Sequence, residues 1–376
     1  MDSQTFSNIS KIIERDSKFT TYKFALLRGT IDIIQENSPF IKERGDVVEI
    51  PLGLMVEKWI IYYYPIFASQ IFLPQINGEK NNLAFGRYFG NVINHYNQLG
   101  GISLLYNELR SKGISNEISY DFLQLVKSIK DTIVKQPMYF IGRSISSEFN
   151  SIYKYIPIGN KSKGKSHIVN TQWLIDSCGI FTIPYSYYEA FKVLGSFLAG
   201  TDSILFKWAE FSVNASREYL STEKVITEIL KEPVTKRDAK DAILFYKTIV
   251  GDRKYVECVW SGINIAKYDV DHLLPFSVWK NNDLWNLMPA DPKVNNTKRD
   301  KIPSLVLLEK RKDVIINYWE LIQQVYPEKF FNEMSISLTG YLNKSNWQNL
   351  AFERLKSTTS NLINVRGYEE WNHKSK

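Results

Sequence analysis

The sequence predicts a mainly helical α+β protein with a small strand-containing unit near its C-terminus. Apolar residues recur at helical spacing through most of the chain, whereas residues 255–271 are rich in β-forming residues and contain turn signals. The 376 residues are too many for one ordinary core. We expect a helical N-terminal region (1–145), a mixed, mainly helical region (146–250), a compact motif (251–310) and C-terminal helices packing on it (311–376).

Composition excludes several classes of protein. Hydrophobic residues are 44% and charged residues 23% of the chain, which is a globular balance rather than a disordered one. Two cysteines, Cys178 and Cys258, exclude a disulfide scaffold and a zinc site built from four cysteines. The first residues lack the features of a signal peptide, and the most apolar run, 59–68, is too short to span a bilayer. We therefore expect no membrane contact and a cytoplasmic location.

Helices are predicted for most of the first 250 residues. They are assigned by apolar spacing to 20–36, 55–64, 120–134, 187–198, 204–211, 222–230 and 238–250. The last of these is expected to end at Gly251, a natural C-cap. Short strands are expected at 46–50, 151–158 and 167–175, where apolar and polar residues alternate or form brief β-like runs.

The C-terminal third reads as strand, turn, strand, loop and helix. Residues 255–260 form the first strand, Ser261-Gly262 the turn and 265–271 the second strand. Residues 273–288 are mostly loop. Asp291-Pro292 begins a helix, because aspartate is a good N-cap and proline is tolerated at the first helical position. Pro303 limits that helix, and a further helix covers 345–363, with Trp347, Leu350, Phe352 and Leu355 as its packing residues.

The residues with chemical potential lie at the ends of these elements. Asp271 and His272 are adjacent on a strand, so their side chains point to opposite faces. Asn295 is within reach if the helix packs on the strands, and Lys298 lies one turn further along. A carboxylate and an amide oxygen suit Mg²⁺ or Mn²⁺. An imidazole that is neutral near pH 7 suits a general base.

Three pieces of sequence then match one nuclease motif. They are Tyr268-Asp-Val-Asp-His272-Leu-Leu-Pro275, Asn286-Leu287, and Asn295-Asn-Thr-Lys298 followed by Ile302-Pro303-Ser304. In this order they resemble the HNH, or ββα-metal, endonucleases, and most closely the HNH domain of RNA-guided CRISPR nucleases. The resemblance covers about residues 250–305. It implies metal-dependent hydrolysis of phosphodiester bonds, with DNA as the substrate.

The resemblance also implies roles for individual residues. His272 would be the general base, Asp271 and Asn295 the metal ligands, and Asn286 the residue that fixes the loop. Lys298 would assist at the phosphate or support the structure. Many relatives hold this motif with two Cys-x-x-Cys zinc knuckles, whereas only one cysteine is nearby here. The motif must therefore be supported by packing against flanking helices.

A polyanionic partner is compatible with the charge. The chain has 47 Lys and Arg against 40 Asp and Glu, a net charge of +7. Beside the nuclease motif, Lys293, Arg299 and Lys301 are candidate phosphate contacts, and Lys163 and Lys165 form a second basic loop. By analogy, the resemblance points to bacterial restriction or anti-phage defence. The flanking regions would bind DNA, a protein partner or an activating signal.

Two other functions stay open. A scaffold with an inactive site would bind nucleic acid without cutting it. Gly159–Ser166 fits the P-loop pattern of a nucleotide hydrolase that would depend on Lys165. A P-loop requires a helix to begin at its end, and the residues that follow are β-like.

Overall fold

The computed structural model describes residues 3–16, 20–69, 73–75, 83–145, 151–158, 168–196, 198–216, 220–230, 237–342 and 345–373. The chain forms two compact units. The first comprises Met1–Glu36 and Phe40–Val234, and the second comprises Asn37–Pro39 and Thr235–Lys376. The predicted α+β, mainly helical class is confirmed. The finer division into four regions stays a prediction.

Helices make up most of the first unit. In chain order they are α1 (Ser3–Arg15), α2 (Tyr22–Gln35), α3 (Leu52–Ala68), α4 (Gly86–Asn97), α5 (Gly101–Arg110), α6 (Ser119–Lys135), α7 (Pro137–Phe140), α8 (Thr171–Ser177), α9 (Tyr185–Ser196), α10 (Leu198–Ala215) and α11 (Thr222–Lys224). A π-helical turn, Val225–Leu230, follows α11. Helix α3 is apolar on nearly all sides, which is typical of a helix buried within a core.

An antiparallel sheet packs beside these helices. Its strands are β1 (Lys42–Arg44), β2 (Val47–Pro51), β3 (Lys154–Ile156) and β4 (Ile180–Pro184), in the order β1-β2-β4-β3. Val48 lies opposite Ile183, and Ile50 lies opposite Phe181. These four side chains are buried, so the central strands place their apolar face in the core.

The strand predicted at 167–175 is wrong over its described part. Helix α8 begins at Thr171 instead, because the side chain of Asn170 accepts a hydrogen bond from the Trp173 N–H at 2.8 Å and caps the helix. The helix buries Leu174 completely. The P-loop candidate Gly159–Ser166, including Lys163 and Lys165, lies outside the described residues, so its roles stay predictions.

The second unit combines helices with three pairs of short strands among its described residues. Its elements are α12 (Lys240–Arg253), β5 (Val256–Glu257), β6 (Asn264–Ile265), β7 (Asp269–His272), α13 (Phe276–Trp279), β8 (Leu287–Ala290), α14 (Pro292–Lys298), β9 (Ile302–Pro303), α15 (Leu305–Lys310), α16 (Lys312–Val325), α17 (Pro327–Met334), α18 (Trp347–Asn364) and β10 (Glu370–Trp371). A 3₁₀ turn, Leu284–Asn286, precedes β8, and a π-helical turn, Ser335–Thr339, follows α17.

The strand pairing in this unit differs from the prediction. Strand β5 pairs with β6 as the local turn requires, but β7 pairs with β8, so that Asp271 lies opposite Met288. Strand β8 begins inside the stretch predicted to be mostly loop, 273–288, and continues to Ala290. It is buried along its whole length and contains Pro289, so it shows neither the alternation nor the composition by which strands are recognised.

Two smaller predictions are corrected in the same unit. Helix α12 continues through Gly251 to Arg253, and Lys254 ends it with a left-handed φ of 70°. Helix α18 confirms the predicted C-terminal helix. Leu350, expected to pack inside, is instead 38% exposed on its surface.

Among the described residues, no helix is both long and apolar enough to cross a membrane.

Two glycines allow a matched test of packing. A Cβ at Gly53 would lie 2.1 Å from the carbonyl oxygen of Leu174, whereas a Cβ at Gly251 would meet no atom within 4 Å. We expect Gly53→Ala to destabilise the protein by about 1–3 kcal/mol through overpacking. Gly251→Ala should stabilise it by about 0.4–1 kcal/mol, because alanine restricts the unfolded chain. Urea unfolding measures both, and equal effects would contradict the close contact between α3 and α8.

Candidate active site

The predicted site residues of the C-terminal motif converge on strand β7, the turn before β8 and helix α14. Asp269 and Asp271 lie two residues apart on β7 and both contact α14. The helix begins where predicted, because the carboxylate of Asp291 accepts hydrogen bonds from the Lys293 and Val294 N–H groups. This start position determines which turn of α14 faces the strand.

Asp271 is buried and surrounded by donors. Its Oδ1 accepts the His272 backbone N–H at 2.8 Å. Its Oδ2 accepts the Trp260 indole N–H at 2.7 Å and lies 3.1 Å from the Lys298 ammonium. The negative charge of Asp271 is thus compensated within the protein.

Lys298 is fully buried rather than part of a basic surface. Its Nζ donates to the carbonyl oxygen of His272 at 2.6 Å and also lies over the Trp260 ring. Burial lowers the pKa of Lys298, and the charge of Asp271 raises it. Of the two roles implied for Lys298, these contacts favour structural support over direct contact with a phosphate.

The imidazole of His272 is buried and neutral. Burial, followed by the charges of Arg237 and Lys298, lowers the pKa of His272 to about 3. The imidazole is hydrogen-bonded to the Asn282 side chain and the Asn281 backbone, while its Nε2 is buried without a hydrogen-bond partner. Because Nε2 takes part in neither hydrogen bond, both are made by Nδ1. A proton on Nδ1 leaves the lone pair on Nε2.

Asn286 is completely buried and holds the loop between β7 and β8 closed. Its Oδ1 accepts the Leu274 N–H at 2.8 Å, and its Nδ2 donates to the Leu274 carbonyl at 3.0 Å. Its backbone carbonyl accepts the Leu273 N–H at 2.7 Å. These bonds fix the chain immediately after His272. They leave Asn286 no access to a substrate, so the role we propose for it is positional.

Asn295 contacts a different aspartate from the one the motif emphasises. Its Nδ2 donates to Oδ2 of Asp269 at 3.1 Å. A carboxylate can only accept hydrogen bonds, so the NH₂ group of Asn295 must face Asp269. The amide oxygen of Asn295, Oδ1, therefore points away from Asp269. Sequence reasoning missed Asp269, although its position two residues before Asp271 on a strand was a usable signal.

The donor set fits a hard divalent cation. In the described part of the chain, no group of three or more His, Cys, Asp or Glu side chains could hold a metal on its own. A carboxylate offers about four lone-pair positions. Three of the four positions on Asp271 are occupied by N–H donors, so one is left for a cation. Oδ1 of Asn295 would supply a second ligand, and water and phosphate oxygens would supply the others.

Two further site residues lie outside β7, the turn before β8 and α14. Trp260 donates to Asp271 from the loop between β5 and β6. Arg237 donates to the carbonyl of Val270 at 3.0 Å, and its charge acts on both His272 and Lys298. Nothing in the local sequence around Arg237 links it to the motif, since 35 residues separate it from His272.

Packing contacts support the motif around Cys258 and Trp260. Cys258 is buried, and its Sγ accepts the backbone N–H groups of Ser261 and Asp291 at 3.4 and 3.2 Å. Strand β10 pairs with β9 and brings Trp371 edge-on to Trp260, with 5.6 Å between the ring centroids. The C-terminal residues therefore support the indole that donates to the site carboxylate.

The predicted phosphate contacts near the motif differ in exposure. Lys293 and Arg299 are exposed on and just after α14. Lys301 is half-buried and forms an ion pair with Glu369 at 2.6 Å, which phosphate would have to displace.

Comparison with known proteins agrees with this geometry. A family model described as domain of unknown function (DUF8808) matches residues 2–229, and one described as HNH endonuclease matches residues 260–304. The CRISPR-associated endonuclease Cas9 of Listeria innocua serovar 6a is 28% identical over 163 residues. That match covers 40% of this chain but only 12% of the relative. No solved structure matches the chain.

The first family match spans more than half of the chain, and the second coincides with the elements from the β5–β6 loop to β9. The chain therefore belongs to the family described as domain of unknown function DUF8808 and carries an HNH endonuclease domain that resembles those of CRISPR nucleases.

Proposed function

We propose that the protein is a divalent-metal-dependent endonuclease that hydrolyses phosphodiester bonds in DNA. The observation that carries this proposal is the buried Nε2 of His272, the residue next to Asp271, which is unprotonated and has no hydrogen-bond partner. A buried polar atom of this kind requires an explanation, and a catalytic role is one. The match to an HNH endonuclease supports the nuclease class.

In the proposed mechanism, Nε2 of His272 accepts a proton from a water molecule that attacks the scissile phosphorus. Asp271 and Asn295 would hold Mg²⁺ or Mn²⁺, which when bound would stabilise the charge on the phosphate and on the leaving oxygen. The Nδ1 bonds to the 281–282 loop keep the imidazole in the tautomer that can accept this proton. Lys298 and Asn286 would hold the strand and loop in place.

The wider role rests on analogy. A part in bacterial restriction or anti-phage defence is proposed by analogy with HNH domains joined to long helical regions, and the match to a CRISPR-associated endonuclease is compatible with it. The first unit would then bind DNA, a protein partner or an activating signal, and the protein would act in the cytoplasm.

The nuclease proposal is tested by His272→Ala. We expect plasmid cleavage with Mg²⁺ or Mn²⁺ to fall by on the order of 10²–10⁴, because the general base is lost. His95→Ala in α4 is the matched control and should cut at the wild-type rate. Unchanged nicking in His272→Ala would refute the mechanism. Metal-dependent DNA binding without cleavage by the wild type would favour the inactive scaffold instead.

The role of Asp269 is tested by metal binding alone. Asp269→Ala removes the acceptor that orients the Asn295 amide, and we expect Mn²⁺ affinity to fall about 10–100-fold. Asp269→Asn keeps an acceptor oxygen, so its Mn²⁺ affinity should fall less than that of Asp269→Ala. Isothermal titration calorimetry of DNA-free protein measures the affinity, with Asp300→Ala, an exposed carboxylate just after α14, as the control. Equal affinities in all three variants would exclude the positioning role.

The two exposed basic residues are tested by salt dependence. Each phosphate contact contributes about 0.9 to the slope of log affinity against log salt concentration. We therefore expect Lys293→Ala and Arg299→Ala each to reduce this slope by about 0.9. Binding is measured in the His272→Ala background, which prevents cleavage. Lys135→Ala, at an exposed lysine of α6, is the control and should leave the slope unchanged. If Lys293→Ala and Arg299→Ala also leave the slope unchanged, these two residues do not contact phosphate.

A further inference from the structure

A chain of polar contacts runs from His272 to a buried carboxylate that the proposed chemistry does not use. The loop Asn281–Asp283 supplies the hydrogen bonds to the imidazole. Asn281 and Asp283 are buried, so the loop is part of the core rather than a mobile surface segment. The carboxylate at the other end of this chain of contacts is Glu333 on α17.

The loop is held from within by side chains. Nδ2 of Asn281 donates to Oδ2 of Asp283 at 2.9 Å, and Oδ1 of Asn281 accepts from Asn286 at 3.3 Å. Oδ1 of Asn282 accepts the backbone N–H of Asp238 at 2.9 Å. A shift of Asp283 would therefore move Asn281, whose backbone holds the imidazole.

Helix α17 and the π-helical turn after it hold the loop from the other side. Oε2 of Glu333 accepts the Leu284 backbone N–H at 2.7 Å. Oγ of Ser337 accepts the Trp285 indole N–H at 2.8 Å and donates to the Glu333 carbonyl at 2.7 Å. The same indole N–H lies 3.1 Å from Oδ2 of Asp283. Glu333 is thus the hydrogen-bond acceptor for the backbone N–H of Leu284, a buried donor that needs a partner.

The charges around Glu333 favour its neutral form. Burial, followed by the charge of Asp283, raises the pKa of Glu333 to about 8. Lys329 on the same helix acts in the opposite direction, with its Nζ 3.7 Å from Oε1 of Glu333, and Asp241 on α12 adds to the increase. Glutamine has nearly the same shape, is neutral and keeps an acceptor oxygen for the Leu284 N–H.

We propose that Glu333 is a positioning residue for His272, acting through the loop Asn281–Asn286 and never touching the substrate. This proposal deepens the proposed nuclease function and rests on it for its kinetic consequence. Glu333 accepts a hydrogen bond from Leu284, which holds the neighbouring Asp283 in position. Asp283 accepts a hydrogen bond from Asn281, whose backbone is hydrogen-bonded to the imidazole. The π-helical turn after α17 supports this role of Glu333, because Ser337, one turn later, accepts a hydrogen bond from Trp285 in the same loop.

The test compares Glu333→Ala with Glu333→Gln. Alanine leaves the Leu284 N–H without its acceptor, so we expect kcat for DNA cleavage to fall on the order of 10–100-fold with KM unchanged. Glutamine keeps an acceptor oxygen and should restore wild-type kcat. In DNA-free protein at pH 7, the ¹³Cε1–H resonance of His272, assigned by its loss in His272→Ala, should shift in Glu333→Ala and stay in place in Glu333→Gln.

Met334→Ala is the matched control, because Met334 is the next residue on α17, is fully buried and has an apolar side chain. We expect it to lower the melting temperature without moving the His272 resonance or kcat. An unmoved resonance in Glu333→Ala, or the same shift in Met334→Ala, overturns the proposal. If the wild type does not cut DNA, the nuclease proposal fails, but the resonance still decides whether Glu333 positions His272.

Discussion

The candidate site depends on one buried ion pair, between Lys298 on α14 and Asp271 on β7. Both side chains are almost inaccessible to water, and their nitrogen and oxygen atoms are 3.1 Å apart. Desolvating two charges is costly, and their attraction offsets that cost only when the geometry is good and further hydrogen bonds are made. Here Trp260 donates to the carboxylate, and the ammonium donates to the carbonyl of His272. The pair therefore fixes the position of α14 along β7. This position brings Asn295 within hydrogen-bond distance of Asp269.

The residues of the motif and the start of α14 could be predicted because local chemistry determines them. Asp291 followed by proline is a helix start in any context, and adjacent Asp271 and His272 on a strand face opposite ways by geometry alone. The partner of β7 could not be predicted, since β8 is buried on both faces and contains a proline. Arg237 and Glu333 lie 35 and 61 residues from His272, and such contacts leave no periodic signal in a single sequence.

A ββα unit of this size buries little apolar surface, so it needs support from outside the motif. The support is visible on two sides. The Trp319 indole donates to the carbonyl of Trp285 at 2.7 Å, which ties α16 to the 3₁₀ turn. Trp371, near the end of the described chain, packs against Trp260. The expectation that flanking helices replace zinc knuckles agrees with these contacts, and the buried Cys258 sulfur joins the β5–β6 loop to the cap of α14.

The charges around His272 control how strongly its imidazole binds a proton. Arg237 and Lys298 both lower the pKa of His272, and burial lowers it further, so the resting imidazole is neutral but a weak base. In the proposed mechanism, a phosphate bound beside His272 would add a negative charge there and raise the proton affinity of the imidazole. In the proposed mechanism, the base would therefore gain strength only when a substrate is present. Such a site would activate water on a bound phosphodiester and leave the imidazole unprotonated in its absence.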